Sequence, residues 1–337
     1  SWNTKSFLEI ICSETAFRIQ DQINVNNGLD PFEWSRYLDA DLLAAYQSGA
    51  NPGTNWLDFL INDNAITTNH SINIAGGSEK SKFSTGIGYQ YQDGIIGGDI
   101  AQSDFNRLTF RMNSEHILWK KGDLNVVTFG ENLRYQHREQ KGINIGNQYG
   151  NSIYSMFSAN PLVPAYNKDG ELFDYDDLQA QGTDPNGLLA LNQYVGNPLN
   201  SLLNSSSKNN ISKSYNLNIV GYLEVQPIKN LKYRGQLSYS QYSSLWKGYN
   251  MAYTNSNVDQ STTDTLNESM SLGWNWGLTN TLNYKFNLGK HNIDALVGTE
   301  YSRQGNGMGE SMNGQATGSV FDDFAHAYFN NFDGRNS

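Results

Sequence analysis

The segment Phe83-Ser-Thr-Gly-Ile-Gly-Tyr-Gln-Tyr-Gln92 sets Phe83, Thr85, Ile87, Tyr89 and Tyr91 against Ser84, Gly86, Gly88, Gln90 and Gln92. Alternation at period two puts every second side chain on one face, so the segment predicts a β-strand that is apolar on one side and wet on the other. The residues before it behave alike. His70, Ile72, Ile74 and Gly76 alternate with Asn69, Ser71, Asn73 and Ala75, and a polar turn around Ser78 to Lys82 makes a hairpin of the two runs.

The pattern recurs downstream. Leu108, Phe110 and Met112 oppose Arg107, Thr109, Arg111 and Asn113, and a looser run follows from Leu124 to Tyr135. Tyr215, Leu217, Ile219, Leu223 and Val225 alternate with Asn216, Asn218, Tyr222 and Glu224, and Leu231, Tyr233, Leu237 and Tyr239 with Lys232, Arg234, Gln236 and Ser238. Leu278, Leu282, Tyr284 and Phe286, then Ile293, Ala295, Val297 and Tyr301, complete about eight strands over residues 69–304. Short turns near 78–82, 120–123, 227–230 and 287–291 join them in pairs, while 92–104, about 140–212 and about 243–270 are long, polar connections. Residues 1–68 differ. Phe7, Leu8, Ile10 and Ile11, then Trp34, Tyr37, Leu38, Leu42, Leu43 and Tyr46, recur at three- and four-residue spacing, which predicts short helices ending at Asn51-Pro-Gly53.

Long loops at one end, short turns at the other and two-faced strands of ten residues or more suit an antiparallel transmembrane β-barrel, whose tilted strands need about 9–11 residues to cross a bilayer. Trp119, Trp246, Trp274, Tyr239 and Tyr301 lie near strand ends, where interfacial aromatics belong. A soluble antiparallel sheet also has one dry and one wet face, so that alternative stands beside the barrel at this point. No apolar run approaches the 18 or so residues of a membrane helix. The 337 residues carry 23 Lys and Arg against 33 Asp and Glu, a formal charge of −10 that repels phosphate backbones and argues against nucleic acid as a partner. Ser1 to Gln20 does not read as a secretory leader, and the single Cys12 reads as a small filler.

Several ordered motifs carry a family resemblance. Gly53-Thr-Asn-Trp56, Asn69-His-Ser-Ile-Asn-Ile-Ala-Gly-Gly-Ser-Glu-Lys80, Gly88-Tyr-Gln-Tyr-Gln-Asp-Gly-Ile-Ile96 and Ser103-Asp-Phe-Asn-Arg107 resemble the early barrel of SusC/RagA-like TonB-linked outer membrane proteins. Ala159-Asn-Pro-Leu-Val-Pro-Ala-Tyr-Asn-Lys-Asp-Gly170 and Gly196-Asn-Pro198 are similar to that family's first long extracellular loops, so the resemblance runs from about Gly53 to Arg303. It implies an all-β fold, an internal segment of about eight strands from a barrel of about 22, set in outer membrane lipid of a Gram-negative cell. It implies no enzyme chemistry and no cofactor. It also implies import of an oligosaccharide or, less often, a peptide, a SusD-like lipoprotein lid, and energy from TonB, ExbB and ExbD through a plug absent from these residues. Residues 305–337, with Gly305, Gly307 and Gly309, read as the start of a further loop.

Catalysis finds little support. His70, His116, His137, His291 and His326 show no metal-ligand spacing, and Asp174, Asp176 and Asp177 read as a solvated loop. Asn167-x-Asp169-Gly170 is a poor calcium loop because Ala165 stands where the first acidic ligand belongs, so a turn is the reading. Tyr154, Phe157, Tyr166, Asn167, Tyr194 and Asn197, in the longest loop, are the candidates for ligand contact, aromatic faces stacking on sugar rings while amides bond hydroxyls. Two rival functions remain at this point, a soluble glycan-binding or glycoside-cleaving β-protein and a surface adhesin or passive porin.

Overall fold

The computed structural model describes residues 13–31, 33–36, 38, 40–98, 100–142, 152–167, 169–174, 177, 197–204, 210–254, 260–305, 307–317 and 328–336. Short helices come first: α1 (Ser13–Asn26), a 3-10 turn (Trp34–Arg36), α2 (Ala40–Gln47) and α3 (Trp56–Leu60). The strands are β1 (Thr67–Gly77), β2 (Ser81–Asp93), β3 (Asp104–Lys121), β4 (Leu124–Lys141), β5 (Asn210–Ile228), β6 (Leu231–Asn250), the two-residue β7 (Tyr253–Thr254) and β8 (Gln260–Ser261), β9 (Thr265–Leu288), β10 (His291–Gln304), β11 (Met308–Thr317) and β12 (Tyr328–Asn336). Between β4 and β5 lie α4 (Ser152–Ser158) and α5 (Pro198–Asn204).

Ten strands form one antiparallel sheet in the order β1-β2-β3-β4-β5-β6-β9-β11-β12, with β10 also paired to β9. The sheet is a wall rather than a closed cylinder, with β1 at one edge and β10 and β12 at the other among the described residues. Four tight connections lie at one end. Gly122 and Gly289 open two of them at φ +58 and +61, and the Ser78 hydroxyl caps the first by accepting from the amides of Lys80 and Ser81, both at 3.3 Å.

Pairing register fixes which residues share a face. One row runs Ile72, Ile87, Phe110, Tyr135, Leu217; the next runs Ile74, Thr85, Met112, Leu133, Ile219, Tyr239, Trp276. This apolar face is not covered. Ile72 and Val297 are each 70% exposed, and Leu237 and Tyr301 are 56% exposed. A soluble sheet of this size would bury such a face against a second layer, yet only Val126, Tyr249 and Leu266 among the buried apolar residues lie in strands. A bilayer is the partner that suits it, because the inter-strand ladder satisfies the backbone within the wall and lipid satisfies the side chains. β3 to β6 are 18 to 20 residues long, so they cross a membrane and project well past it. At the long-loop margin the belt gives way to cross-strand ion pairs, Lys141 with Asp104 at 3.3 Å, Lys213 with Glu139 at 3.3 Å and Lys247 with Glu268 at 3.4 Å. Glu131 departs from the belt. Its carboxylate accepts from the Ser114 hydroxyl at 3.0 Å, and that hydroxyl also lies 3.0 Å from His116.

The expected loop over 305–337 is corrected by the structure, since β11 and β12 lie within it. β10 and β11 sit end to end against β9, whose Asn275 to Leu288 pair with β10 and whose Thr265 to Leu272 pair with β11. Ladder hydrogen bonds need only backbone, so the side-chain-poor Gly305 and Gly309 region remains in register while its alternation disappears from the sequence. Gly305 donates its N–H to the Trp274 carbonyl at 2.8 Å. The Trp274 indole then lies where a Cβ would stand, 2.1 Å from its ideal position, so glycine is the residue that fits there.

Candidate functional site

At the long-loop end three distant parts of the chain, residues 13–66, 94–103 and 152–204, pack into one apolar core. Trp34, Leu38, Tyr46, Trp56, Leu57 and Leu60 meet Ala101 from the β2–β3 connection, and Met156, Leu162, Val163, Phe173, Leu199 and Leu202 from the β4–β5 connection. This cap is the conventional buried core of the described residues. The Ile61–Ile96 bridge and the Gly97 amide donating to the Leu60 carbonyl at 2.6 Å join two of its parts, and Asp93 of β2 ties it to the wall, its amide donating to the Ile66 carbonyl at 2.8 Å and its carboxylate accepting from the Ile66 amide at 3.2 Å.

The motifs that stood out in sequence find one another here. Asn55 caps α3 by accepting from the Leu57 amide at 3.2 Å, which aims Trp56 into the core. The Trp56 indole N–H donates to the Asn160 carbonyl at 3.0 Å, the Thr54 hydroxyl to the Val163 carbonyl at 2.6 Å and the Thr54 amide to the Pro161 carbonyl at 2.8 Å. Gly53, at φ +89, passes so close that a Cβ would stand 2.7 Å from the Pro161 oxygen. Gly53-Thr-Asn-Trp56 is therefore the receptor for Asn160-Pro-Leu-Val163.

The predicted contact residues separate. Tyr154 and Phe157 stand three apart on α4 and are 55% and 52% exposed, while Met156 between them is buried. Tyr166 is partly exposed and its ring lies 6.0 Å from that of Phe59. Asn167 organises a turn: its side-chain oxygen accepts from the Asp169 and Glu171 amides at 3.0 and 2.9 Å, and its amide donates to Asp177 at 3.2 Å. Asp174 and Asp177 accept from each other's backbone N–H at 3.0 Å, so these carboxylates are spent on the turn. Asn197 is buried; its amide donates to the Ala165 and Phe173 carbonyls at 2.9 and 3.0 Å while its oxygen accepts from the Leu199 amide. That side chain ties the loop together. Tyr194, Asp176 and His326 lie outside the described residues.

Tyr46 holds the cap from the other side. Its hydroxyl donates to the Leu162 carbonyl at 3.1 Å, and burial pushes its pKa up to about 12. An unfolded tyrosine ionises near pH 10. Because the folded pKa is the higher one, this contribution is intact below pH 10 and is lost as pH rises towards about 12. Hydrogen exchange across 152–204 is expected to accelerate over that window while β3 to β6 stay protected, and Tyr46→Phe is expected to flatten the pH dependence.

The inner face of the wall is mostly polar, with Val220 and Leu296 among its exceptions, and its residues were missed as a site because only register reveals who faces whom. Arg234 places its guanidinium 3.8 Å over the Tyr222 ring, and the Tyr222 hydroxyl donates to Glu115 at 3.0 Å. Lys82, Asn113, Asn132 and Val220 join them around an open hollow of about 700 Å³. A second hollow, about 460 Å³, lies at the foot of the cap between Gln92, Ile96, Ser103 and Lys141.

No protein-family model matches the chain. It is 25% identical over 260 residues to TonB-dependent receptor P26 of Formosa agariphila, a match that takes in 75% of this chain and 22% of that protein. Among solved structures it resembles the RagAB peptide transporter, with a TM-score of 0.63 and 18% identity over 93% of this chain and 34% of that one. The RagAB peptide importer in its open-open state gives a TM-score of 0.60 at 17% identity, covering the whole of this chain and 33% of the other. The chain thus spans about a fifth of the curated relative and a third of the structural ones. With its exposed apolar belt, wet inner face and sorted loops, it has the fold of a stretch of outer-membrane β-barrel wall, similar to the corresponding part of those proteins.

Proposed function

We propose that this wall belongs to an energy-coupled importer that moves oligosaccharides across a Gram-negative outer membrane, using a lumenal plug, the TonB-ExbB-ExbD machinery and a SusD-like surface lipoprotein. The observation that carries the reading is the uncovered apolar face of a wall whose other face is polar, for that pairing suits a lipid-embedded passage and not a soluble glycosidase. The motif resemblance and the likeness to a TonB-dependent receptor support energy-coupled import over a passive porin or adhesin. Tyr154, Phe157 and Tyr166, exposed on the cap, are the aromatic platform offered to sugar rings. The remaining candidates from the loop, Asn167 and Asn197, serve by holding that platform in shape.

A peptide cargo is the second reading, favoured by the likeness in fold to RagAB, a peptide transporter by name. Uptake by a strain lacking the intact protein, compared over matched panels of neutral oligosaccharides and peptides, decides between them. Loss of uptake for neither class would end the import reading. In the intact protein, Tyr154→Ala with Phe157→Ala is expected to weaken cargo binding about tenfold, ~1.4 kcal/mol, measured by titration calorimetry with the cargo identified in that screen. Unchanged affinity would remove the two rings from the binding surface.

A further inference from the structure

Four arginines stand on the inner face of β3 and β4 in two directly opposed pairs, Arg107 with Arg138 and Arg111 with Arg134. Like charges directly opposite on neighbouring strands destabilise the pairing. Within the described residues nothing relieves them. Arg107 donates to the neutral Gln90 at 2.6 Å and Arg134 reaches the neutral Gln136 at 3.4 Å. The same rows are continued by Gly86 and Gln90 on β2 and by Asn218 and Ser214 on β5, none of them acidic. The acidic residues lower on that face are engaged elsewhere, Glu115 by Tyr222 and Glu224 by Lys232 at 2.7 Å. A chain with ten negative charges in excess has thus set four of its 23 Lys and Arg side by side on the inner wall, with no acidic residue among the described neighbours in those rows.

We propose that these four arginines seat carboxylates on a body held permanently within the barrel. The inference rests on the importer reading, in which that body is the plug. Permanence follows from the repulsion itself. The two pairs oppose one another in every state of the wall, so a cargo that visits only during transport cannot offset them, whereas a resident acidic surface does. The pairs lie four residues apart along the strands, a separation of roughly 14 Å at 3.4 Å per residue. The plug face is therefore expected to carry acidic groups at about that spacing. Guanidinium suits the task because its planar fork grips a carboxylate by two parallel hydrogen bonds.

The sign of a stability change tests this. In the intact protein, Arg111→Gln with Arg134→Gln leaves plug carboxylates unpaired, so the thermal unfolding midpoint is expected to fall by several degrees, and cells carrying it become several-fold more sensitive to a large antibiotic that the outer membrane normally excludes. Arg111→Lys with Arg134→Lys keeps the charge without the fork and is expected to lie between the two. If the arginines are unneutralised or serve only passing cargo, removing them relieves repulsion, and an unchanged or raised midpoint overturns the proposal. Salt provides the same test without a variant: raising ionic strength lowers the wild-type midpoint if the array is paired with carboxylates and raises it if the charges merely repel. Outer-membrane fractionation and the heat-modifiable gel mobility of the barrel are read in parallel. A wild-type protein that fails those would sink the importer reading, while one that passes them with the wrong stability sign sinks only the arginine seat.

Discussion

Replacing Leu237 with arginine is expected to destabilise the barrel by about 2–4 kcal/mol, the cost of a cation on the lipid face near the bilayer midplane. Leu237 is 56% exposed and lies across from Gly221 on β5 and Leu278 on β9, in the middle of the apolar belt. Its neighbour Ser238 projects to the opposite, polar face, opposite Gly277. Ser238→Arg therefore serves as the matched control, with an expected effect under about 1 kcal/mol. Denaturant unfolding of the intact protein in lipid or micelles gives both values. The contrast is diagnostic because an exposed leucine on a water-soluble sheet would accept arginine with little cost. Equal, small effects at the two positions would overturn the membrane placement.

Trp56→Ala is expected to take the cap apart while leaving the wall standing. Trp56 is 2% exposed, packs at the centre of the cap and donates to the Asn160 carbonyl. Truncating a buried aromatic costs about 3–5 kcal/mol, and the orphaned carbonyl adds to that. The cap has one modest core shared by short helices, so a loss of this size exceeds what a seven-residue helix such as α4 can retain on its own. Protease added to intact cells is expected to cut within 152–204 in the variant and not in the wild type, with cargo affinity falling along with the Tyr154 and Phe157 platform. Trp56→Phe keeps most of the packing and loses the hydrogen bond, so about 1 kcal/mol is expected. A variant that resists protease as the wild type does would mean that Trp56 is not what joins the three segments.

The wall was largely legible in the sequence because its signal is local. Period-two alternation from Phe83 to Gln92, and from Leu231 to Tyr239, needs only neighbouring residues to be read, and the four tight turns fell within the expected intervals. The eight-strand reading fell short where side chains become small, at Gly305 and Gly309, since a backbone ladder can persist through residues that carry no pattern. The cap was not legible. Of its helical pieces only α2 and the 3-10 turn fall on a run that the spacing predicts, the run at Phe7 to Ile11 lies outside the described residues, and α4 and α5 stand where the sequence reads as a polar connection; Tyr46 meets Leu162 across 116 residues and Thr54 meets Val163 across 109, and no periodicity encodes such a meeting. Asn197 reads in the sequence as a loop amide able to meet a ligand, whereas in the structure its side chain is buried and makes three hydrogen bonds to the backbone of the cap. Alternation places Arg107 and Arg111 of β3 on the polar face, but the looser run over β4 assigns no face to Arg134 or Arg138, and the direct opposition of the four follows only from register.

The separation of those cap contacts has a consequence for how the molecule comes into being. Each hairpin of the wall closes over a handful of residues, whereas the cap must bring together pieces more than a hundred positions apart, and the entropy of ring closure makes such meetings late events. Before those meetings the oily surfaces of Trp56, Leu199 and Leu202 are accordingly bare at the same time as the lipid-seeking belt. They find cover only once the strands stand and the separated segments of the cap come together above them.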